Sequence, residues 1–533
     1  MTDPGANPPA SGARSGSAAR SASAACPPPG RARLARYAGL AGALLLAVAG
    51  YLGGALPGAT TQFRHGADGP LIVVLWLLGT ATLVGAWWAL RGGAPSTRWA
   101  YVTAGLWTLP LLVTAPMGSR DVYSYACQGW VYADGGDPYT TGVAAGGCPW
   151  VESVAPIWRD TPAPYGPFFV LLAALAALLG GGLVGTVVLL RVLAVAGLLL
   201  AALCLPGLAR AAGVPTRRAV WLLLACPLVG VHLVAGAHND AVMLGLLLLG
   251  LLILVRRPDR PDRSNRPERT DRSGALLNTG ILLVAGVLLG LAVSVKATAV
   301  VVLPFAALAA VRGRHTVPAL LRDGGTLAAG VLGGLVVTSL LSGLGLGWLA
   351  GLGRSGDTVQ WTSPPTAVGM VVDYAGELVG RRPDAVPVAR LVGLVLLAVL
   401  LLLLWWRIWS ILRDRDAGAG QRRSETATRV TLFGAGLALA ATVALAPVFH
   451  PWYATWPLAV LAVAAARTTW FVLPCAVASF LALPDGTNLA RLTKAPGAVA
   501  MTILVVALVA WGHRGARNAL GPASRVRSRP ETR

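Results

Sequence analysis

The chain has 533 residues, of which 55% are hydrophobic and 12% are charged, and its mean hydropathy is +0.65. Soluble domains carry about 25% charged residues, so this composition excludes a single soluble domain and indicates a multi-pass membrane protein. The formal net charge of +22 would suggest nucleic acid in a soluble protein, but the basic residues cluster beside apolar runs. Excess Lys and Arg there marks the cytoplasmic side of a membrane, so no nucleic-acid partner is expected.

The N-terminal segment, residues 1–36, is rich in Pro, Gly, Ala, Ser and Arg. Such a composition cannot bury an apolar core, so we expect a disordered basic tail on the cytoplasmic side. The apolar run from Tyr37 is too long and too far from the first residue for a cleaved signal peptide. We place a transmembrane domain at residues 37–512 and a second basic cytoplasmic tail at residues 513–533.

Apolar runs recur throughout the predicted transmembrane domain, many near the length of about 20 residues that crosses a bilayer as a helix. The first are residues 37–56 and 70–90, followed by 99–116; two shorter runs at 240–255 and 455–466 are counted as spans as well. Followed from a cytoplasmic N-terminus, the runs predict about 14 crossings. The expected fold is an all-α, polytopic transmembrane helical bundle.

A polar loop at residues 117–165 carries two arginines against five acidic residues, the opposite balance to the basic flanks. We therefore place it on the outer face, together with a second large loop at 344–387, and a charged insert at 256–273 on the cytoplasmic face. Cys127 and Cys148 both fall in the outer loop, where oxidising conditions permit a disulfide. The sequence leaves open whether these two cysteines pair.

Within that loop, residues 121–133 have helical spacing. Asp121, Tyr125, Gln128 and Tyr132 would share one stripe, and the other faces are apolar. The pattern predicts an amphipathic helix along the membrane surface with its polar stripe toward solvent or substrate. For the aspartate two interpretations stay open: a helix cap, which Asp often provides, or a catalytic carboxylate.

Other polar and aromatic groups fall in turns that the same topology places on the face of the aspartate-bearing loop. Ionisable groups at membrane depth are costly and usually mark a pathway or a site. Their convergence on one side predicts a surface-facing catalytic cavity rather than a transport path. The groups are His238, Asp240, Lys296, Arg354, Trp361 and His450.

Short motifs along the chain carry a family resemblance. They begin with Arg120-Asp121-Val122-Tyr123-Ser124-Tyr125 and Gly136-Asp137-Pro138-Tyr139, and continue with Tyr165-Gly166-Pro167, Gly236-Ala237-His238-Asn239-Asp240-Ala241, Val295-Lys296, Trp361-Thr362-Ser363-Pro364-Pro365-Thr366 and His450-Pro451-Trp452-Tyr453. In this order they resemble the actinobacterial polyprenol-phosphomannose-dependent α-1,6-mannosyltransferases, members of the GT-C superfamily of integral-membrane glycosyltransferases. The resemblance covers most of residues 35–512.

The resemblance implies an inverting enzyme that moves mannose from polyprenyl-phosphate mannose to an α-1,6-mannan glycolipid of the lipomannan type. The reaction would occur at the outer face of the plasma membrane with Asp121 as the general base, and inversion needs no nucleophilic carboxylate. The leaving phosphate needs donors already in place, for which the candidates are Arg120, Lys296, Arg354 and His450. Candidates for acceptor or sugar contacts are Tyr125, Gln128, His238, Asp240, Trp361, Trp452 and Tyr453.

Structural alternatives accompany these candidates. Lys296 could snorkel from a helix end to the interface, His450 could be a hydrogen-bonded core histidine, and tryptophans often anchor membrane interfaces. Asp240 competes with Asp121 for the role of base.

No motif demands a cofactor, although a divalent metal stays open. Asp121 with Asp134 or Asp137 could supply oxygen ligands to Mg²⁺ or Mn²⁺, while Asp137-Pro138 is also typical of a turn. Two other functions stay open: a GT-C transferase for another polyprenyl-phosphate sugar such as arabinofuranose, and a transporter of lipid or solute. A transporter predicts inverted repeats and broken helices near the midplane, and no internal repeat is evident.

Overall fold

The computed structural model describes residues 27–58, 68–257, 268–354, 358–417 and 423–519. Within these ranges the chain is helical and forms no β-sheet, and its one isolated antiparallel bridge joins Ala482 and Asn488. The predicted all-α class and polytopic helical architecture are confirmed.

The helices of the first half, in chain order, are α1 (Pro29–Gly53), α2 (Gly69–Ala89), α3 (Thr97–Leu112), α4 (Asp121–Ala133), α5 (Pro156–Arg159), α6 (Pro167–Gly180), α7 (Leu183–Ala211), α8 (Thr216–Leu224) and α9 (Asp240–Arg256). A 3-10 turn occupies Val151–Ser153, and a π-helical turn, Val229–Ala235, lies between α8 and α9.

The helices of the second half are α10 (Glu268–Val295), α11 (Leu303–Ala310), α12 (Val317–Ser342), α13 (Trp348–Arg354), α14 (Pro364–Leu378), α15 (Ala385–Ala417), α16 (Arg423–Leu445), α17 (Thr455–Ala464), α18 (Thr469–Ala478), α19 (Leu489–Leu492) and α20 (Lys494–Ala519). Two 3-10 segments, Ala297–Val302 and Pro451–Ala454, precede α11 and α17.

Eight helices of the described chain are long and apolar enough to cross a membrane, and a ninth candidate is the bent pair of α8 and the π-helical turn. The predicted number of about 14 crossings is therefore not confirmed. Short interior helices account for part of the difference. Every one of the 10 residues of α17 is buried, and a helix of about 15 Å cannot cross a hydrocarbon core of about 30 Å. The run predicted as a span at 455–466 packs inside the protein instead.

The predicted domain boundaries differ from the helix ends at three places. α1 begins at Pro29, before the predicted end of the tail at residue 36, and proline suits the first turn of a helix. Within this helix the Arg36 side chain donates to Thr103 of α3. α20 runs to Ala519, into the segment predicted as the second tail. In the charged insert α10 begins at Glu268. Residues 1–26, 258–267 and 520–533 of these predicted segments lie outside the described residues.

The long helix α12 connects two chemically different ends of the bundle. Near its N-terminus Asp323 pairs with Arg322 and with Arg257. At its C-terminus the Ser342 carbonyl accepts a hydrogen bond from the Tyr132 hydroxyl of α4. With 26 residues, α12 is about 39 Å long, more than the hydrocarbon thickness of about 30 Å. The polar loop that contains α4 and this arginine-rich segment thus lie at opposite ends.

Candidate active site

Helix α4 begins at Asp121 and ends at Ala133, as predicted, but its surroundings differ from the prediction. Gly129 packs against the backbone of Ala173 in α6 so closely that a Cβ atom there would lie 2.3 Å from it. Tyr125 and Gln128 are buried. These two side chains therefore do not face solvent, because small residues let α4 pack into the bundle. Of the two directions predicted for the polar stripe, solvent or substrate, the one toward solvent does not hold for Tyr125 and Gln128.

A disulfide between Cys127 and Cys148 ties α4 to the loop that follows it. Both cysteines are buried beneath that loop. Of the two outcomes that the sequence left open, the structure has the paired one.

Asp121 is the first residue of α4, and the residue in the capping position is Arg120, whose side chain makes no capping hydrogen bond. The backbone N–H of Asp121 instead donates to the Ser119 hydroxyl oxygen at 3.1 Å. Of the two interpretations left open for Asp121, the helix cap does not apply, because Arg120 occupies the capping position. The Asp121 side chain stays 15% exposed, which leaves it open to a reacting molecule.

The His238 imidazole lies between the carboxylates of Asp121 and Asp240 and is close to both. The Nδ1 atom of His238 lies 3.9 Å from Oδ2 of Asp121, 3.7 Å from Oδ2 of Asp240 and 3.2 Å from the Tyr125 hydroxyl. His238 and Asp240 are completely buried. They sit in a sharp turn in which Ala237 adopts a left-handed backbone with φ of 50°, an uncommon conformation that often occurs at functional sites.

Lys296 completes this group from the break between α10 and the following 3-10 segment. Its Nζ donates to both carboxylate oxygens of Asp240 at 2.8 Å and lies 5.3 Å from the ring centroids of Tyr453 and Trp456. The Trp456 indole N–H also donates to Asp240, at 2.5 Å. A buried ion pair is thus enclosed by aromatic rings, and the Lys296 side chain keeps 12% exposure.

The pKa of Asp121 is raised to about 6, chiefly by burial and to a smaller extent by the neighbouring Asp240 charge. The positive charge of Lys296 and hydrogen bonds from Ser119 and Trp158 oppose that rise. A carboxyl group with a pKa near neutrality can accept a proton from a hydroxyl in the transition state and release it afterwards. The environment of Asp121 is therefore suited to general base catalysis.

The segment His450–Tyr453 packs aromatic rings against His238 and Lys296. These residues, together with Asp121 and Asp240, are called the Asp121 pocket below. The Trp452 ring packs 4.1 Å from His238 and stacks 4.7 Å from His450, measured between centroids. Burial, with the positive charges of Lys296 and Arg491, lowers the pKa of His450 to about 3. His450 is consequently neutral near pH 7, so it can offer a phosphate a hydrogen bond but no positive charge.

Other predicted site residues have contacts of their own. The Arg120 guanidinium donates to the carbonyl oxygens of Ser153 and Leu56 and so braces the loop. The Trp361 ring covers Gly497, and its indole N–H donates to Thr493. Gln128 is buried.

Arg354 is the last residue of α13, and its side chain lies outside the described part of the chain.

Of the acidic residues considered as metal ligands, Asp121 and Asp134 are too far apart to bind one ion. Asp121 and Asp134 stand at opposite ends of α4, about 20 Å apart at 1.5 Å per residue. Asp137 forms a turn, with its Oδ1 accepting the Tyr139 N–H at 2.8 Å. No group of three or more His, Cys, Asp or Glu in the described chain is arranged to hold a metal ion.

Several residues that frame the pocket were not among the predicted site residues. Tyr165 packs edge-on against Tyr125, with centroids 5.2 Å apart, and Trp456 holds Asp240. His232 lies 5.3 Å from Trp452, again between centroids. The spacing of Trp452 and Trp456, one helical turn apart, was a signal that both could face the same cavity; their contact with Asp240 and His238 arises only in the folded chain.

Comparison with known proteins gives two family matches and several relatives. A profile described as alpha-(1->6)-mannopyranosyltransferase, N-terminal domain, matches residues 36–312, and one described as MptB C-terminal domain matches residues 365–511. The chain is 34% identical to a Mycolicibacterium smegmatis protein named "Probable alpha-(1->6)-mannopyranosyltransferase", covering 80% of this chain and 77% of that protein. It is 32% identical to alpha-(1->6)-mannopyranosyltransferase A of Mycobacterium tuberculosis, over 75% of this chain and 72% of the relative.

A third relative, alpha-(1->6)-mannopyranosyltransferase B of Corynebacterium glutamicum, is 28% identical over 85% of this chain and 78% of its own. No solved structure matches the chain.

Proposed function

The chain belongs to the alpha-(1->6)-mannopyranosyltransferase family of glycosyltransferases, and from that premise we propose its reaction. It moves mannose from polyprenyl-phosphate mannose to an α-1,6-mannan glycolipid at the outer face of the plasma membrane. Asp121 acts as the general base. The observation that carries the proposal is a partly exposed carboxylate with a pKa of about 6, next to a lysine ion pair, in a chain of membrane-capable helices.

In the proposed step the acceptor 6-hydroxyl attacks the anomeric carbon of the donor mannose. The new glycosidic bond forms as the bond from that carbon to the phosphate oxygen breaks. The hydroxyl proton passes to the Asp121 carboxylate, and the bonding electron pair leaves with polyprenyl phosphate. At pH 7 most of Asp121 is ionised, because its pKa is about 6.

Inversion at the anomeric carbon is supported by the unequal exposure of the two aspartates. Asp240 is completely buried and its carboxylate accepts hydrogen bonds from Lys296 and Trp456. It therefore cannot approach a sugar ring as a nucleophile. With one accessible carboxylate, direct attack by the acceptor is the simpler route, and a β-linked donor then gives an α-linked product.

The leaving phosphate gains negative charge as its bond to the sugar breaks, and fixed donors stabilise such charge. Lys296 is the cation nearest to the aspartate cluster whose side chain is partly exposed. The neutral His450 imidazole on the adjacent wall is a second hydrogen-bond donor. We assign the donor phosphate to the space between these two side chains and Asp121.

Two features support an outer location for the pocket. Disulfides persist in oxidising compartments, and the Cys127–Cys148 bridge holds the helix of Asp121. The opposite end of α12 lies among arginines, which include Arg257, Arg312 and Arg322. An excess of basic residues is typical of the cytoplasmic side, so this end supports a cytoplasmic position for the arginines and an outer position for the pocket.

The test is transfer from labelled polyprenyl-phosphate mannose to a synthetic α-1,6-mannoside, with the purified chain in lipid vesicles. We expect transfer by the wild type and a loss of about 100- to 10,000-fold in Asp121→Asn, the range that general base catalysis contributes. Asp134→Asn, the same change at the other end of α4, serves as the matched control and should keep full activity.

Three results would contradict the proposal. Transfer from a nucleotide-mannose alone would exclude the lipid donor. Transfer of arabinofuranose in preference to mannose would show that mannose is not the transferred sugar. Full activity in Asp121→Asn would show that Asp121 is not the general base.

A further inference from the structure

The chain contains two lysines, Lys296 and Lys494, among 44 basic Lys and Arg residues, so the other 42 are arginines. Lys494 is exposed at the start of α20, whereas Lys296 lies in the pocket. An ammonium differs from a guanidinium in being compact, with three donors that can be directed separately. A lysine at this one inner position suggests that the compact ammonium is required there.

Asp240 cannot reach a ligand, although the sequence suggested it as an acceptor contact. Its side chain has no exposed surface. One carboxylate oxygen accepts hydrogen bonds from Lys296 and Trp456, and the other accepts from Lys296. A buried charge without a partner is strongly destabilising. Lys296 and Trp456 therefore stabilise the Asp240 carboxylate in its buried position.

The backbone beneath Lys296 is fixed by its own contacts. The Ser294 hydroxyl accepts the Phe168 N–H at 2.9 Å and lies 3.1 Å from the Thr338 hydroxyl. Gly166 fits so closely against Ser294 that a Cβ atom would lie 2.4 Å from its carbonyl oxygen. Since the main chain is held from α6 and α12, the remaining freedom of Lys296 is in its side chain, and Asp240 removes it.

We propose that Asp240 is a positioning residue that acts through Lys296, holding the ammonium at the edge of the Asp121 pocket so that its remaining N–H meets the donor phosphate. This inference rests on the proposed function and assigns the donor phosphate contact to Lys296. Two of the three Nζ donors are directed to the Asp240 oxygens. The Tyr453 and Trp456 rings flank the cation, a favourable arrangement for an ammonium.

The ion pair also faces the base, and its two charges act on Asp121 in opposite directions: Lys296 lowers the pKa of Asp121 and Asp240 raises it. Removing the Asp240 charge should therefore lower that pKa and move the acid limb of the activity profile to lower pH. The titratable or hydrogen-bonding groups around Asp121 are Ser119, Tyr125, Trp158, Tyr165, His238, Asp240, Lys296 and Tyr453.

The experiment compares Asp240→Asn with the wild type in two assays, of which the first needs no turnover. An amine-reactive reagent modifies the folded protein in lipid vesicles, and mass spectrometry gives the ratio of Lys296 to Lys494 modification. Release of the ammonium from Asp240 should raise this ratio, with Lys494 as the internal reference. An unchanged ratio in Asp240→Asn overturns the anchoring role.

The second assay measures transfer kinetics. We expect kcat to fall on the order of 100-fold, as displacement of a reacting contact by about 1 Å can cause, with the acceptor KM unchanged and the acid limb at lower pH. A raised acceptor KM with unchanged kcat would instead make Asp240 an acceptor ligand. Wild-type kinetics with reduced thermal stability alone would make it merely structural. Either result overturns the proposal.

Asp323→Asn is the matched control, because it removes another buried, ion-paired carboxylate. Asp323 stands 15 residues before Thr338 on α12, hence about 22 Å along the helix from the contact with Ser294. Its labelling ratio and kinetics should match the wild type.

Trp456→Phe removes one hydrogen bond to Asp240 but keeps an aromatic ring and the Asp240 charge. It should therefore raise the labelling ratio and lower kcat, as Asp240→Asn does, but by a smaller amount. It keeps the test decisive if Asp240→Asn fails to fold. If the wild type shows no transfer from the lipid donor, the proposed function is overturned. The labelling ratio then still tests whether Asp240 holds the Lys296 ammonium in place.

Discussion

Lowering the pH from 7 to 5 should switch off the enzyme through Asp121. With a pKa of about 6, the carboxylate fraction falls from about 90% at pH 7 to about 10% at pH 5. The group is therefore the competent base above its pKa and is lost as the pH falls through it. We expect kcat/KM to fall about 10-fold over this interval. An aspartate with the ordinary value of 3.8 would stay more than about 90% ionised at pH 5.

The assay is the initial rate of mannosyl transfer in lipid vesicles across this pH range, with return to pH 7 to exclude irreversible loss. Ser119→Ala should move the acid limb to higher pH, because the hydrogen bond from Ser119 holds the pKa of Asp121 down. A rate that is flat between pH 5 and pH 7, or a limb that Ser119→Ala leaves in place, would refute the assignment of the limb to Asp121.

Three more predictions concern the loop that carries α4. Replacing Cys127 and Cys148 by serine should lower the free energy of unfolding by roughly 3 kcal/mol, since a bridge over a separation of 21 residues restrains the unfolded chain by about that amount; thermal melts that match the wild type would contradict this. Gly129→Val should abolish transfer, because the added side chain meets the backbone of α6, and an active variant would show that α4 can shift freely. A cysteine at Thr140 should react with a membrane-impermeant thiol reagent in intact cells while a cysteine at Arg314 should not, and the reverse pattern would place the pocket in the cytoplasm.

Local patterns predicted the helix at Asp121–Ala133, because its spacing and flanking residues are contained in one short segment. The burial of that helix was beyond such patterns. Tyr125 and Gln128 look like a solvated stripe until α6 is packed against Gly129. A polar stripe is the same in sequence whether it faces water or a buried imidazole.

The predicted number of crossings was not confirmed, for a related physical reason. An apolar run is equally compatible with lipid and with a protein interior, and α17, Thr455–Ala464, is enclosed by other helices on all sides. Length decides the matter only after the helix ends are known. The sequence also could not predict these pairings, because Asp240 is separated from Lys296 by 56 positions and from Trp456 by 216, and only the fold brings them together.

Asp121 and Asp240 show how two aspartates that look alike in sequence acquire different roles. Each is the first residue of its helix, where the helix dipole favours a carboxylate by a similar amount, so the dipole cannot distinguish them. Their exposure and the position of Lys296 do distinguish them. Asp240 is sealed and holds Lys296 with both oxygens, while Asp121 keeps 15% of its surface open and has no such direct ion pair with that lysine among the described contacts. Lys296→Met should therefore remove the positive charge that lowers the pKa of Asp121 and shift the acid limb of the activity profile to higher pH. This shift is opposite to the one expected for Asp240→Asn. Limbs that move in the same direction in both variants would mean that the two charges do not act on Asp121 separately.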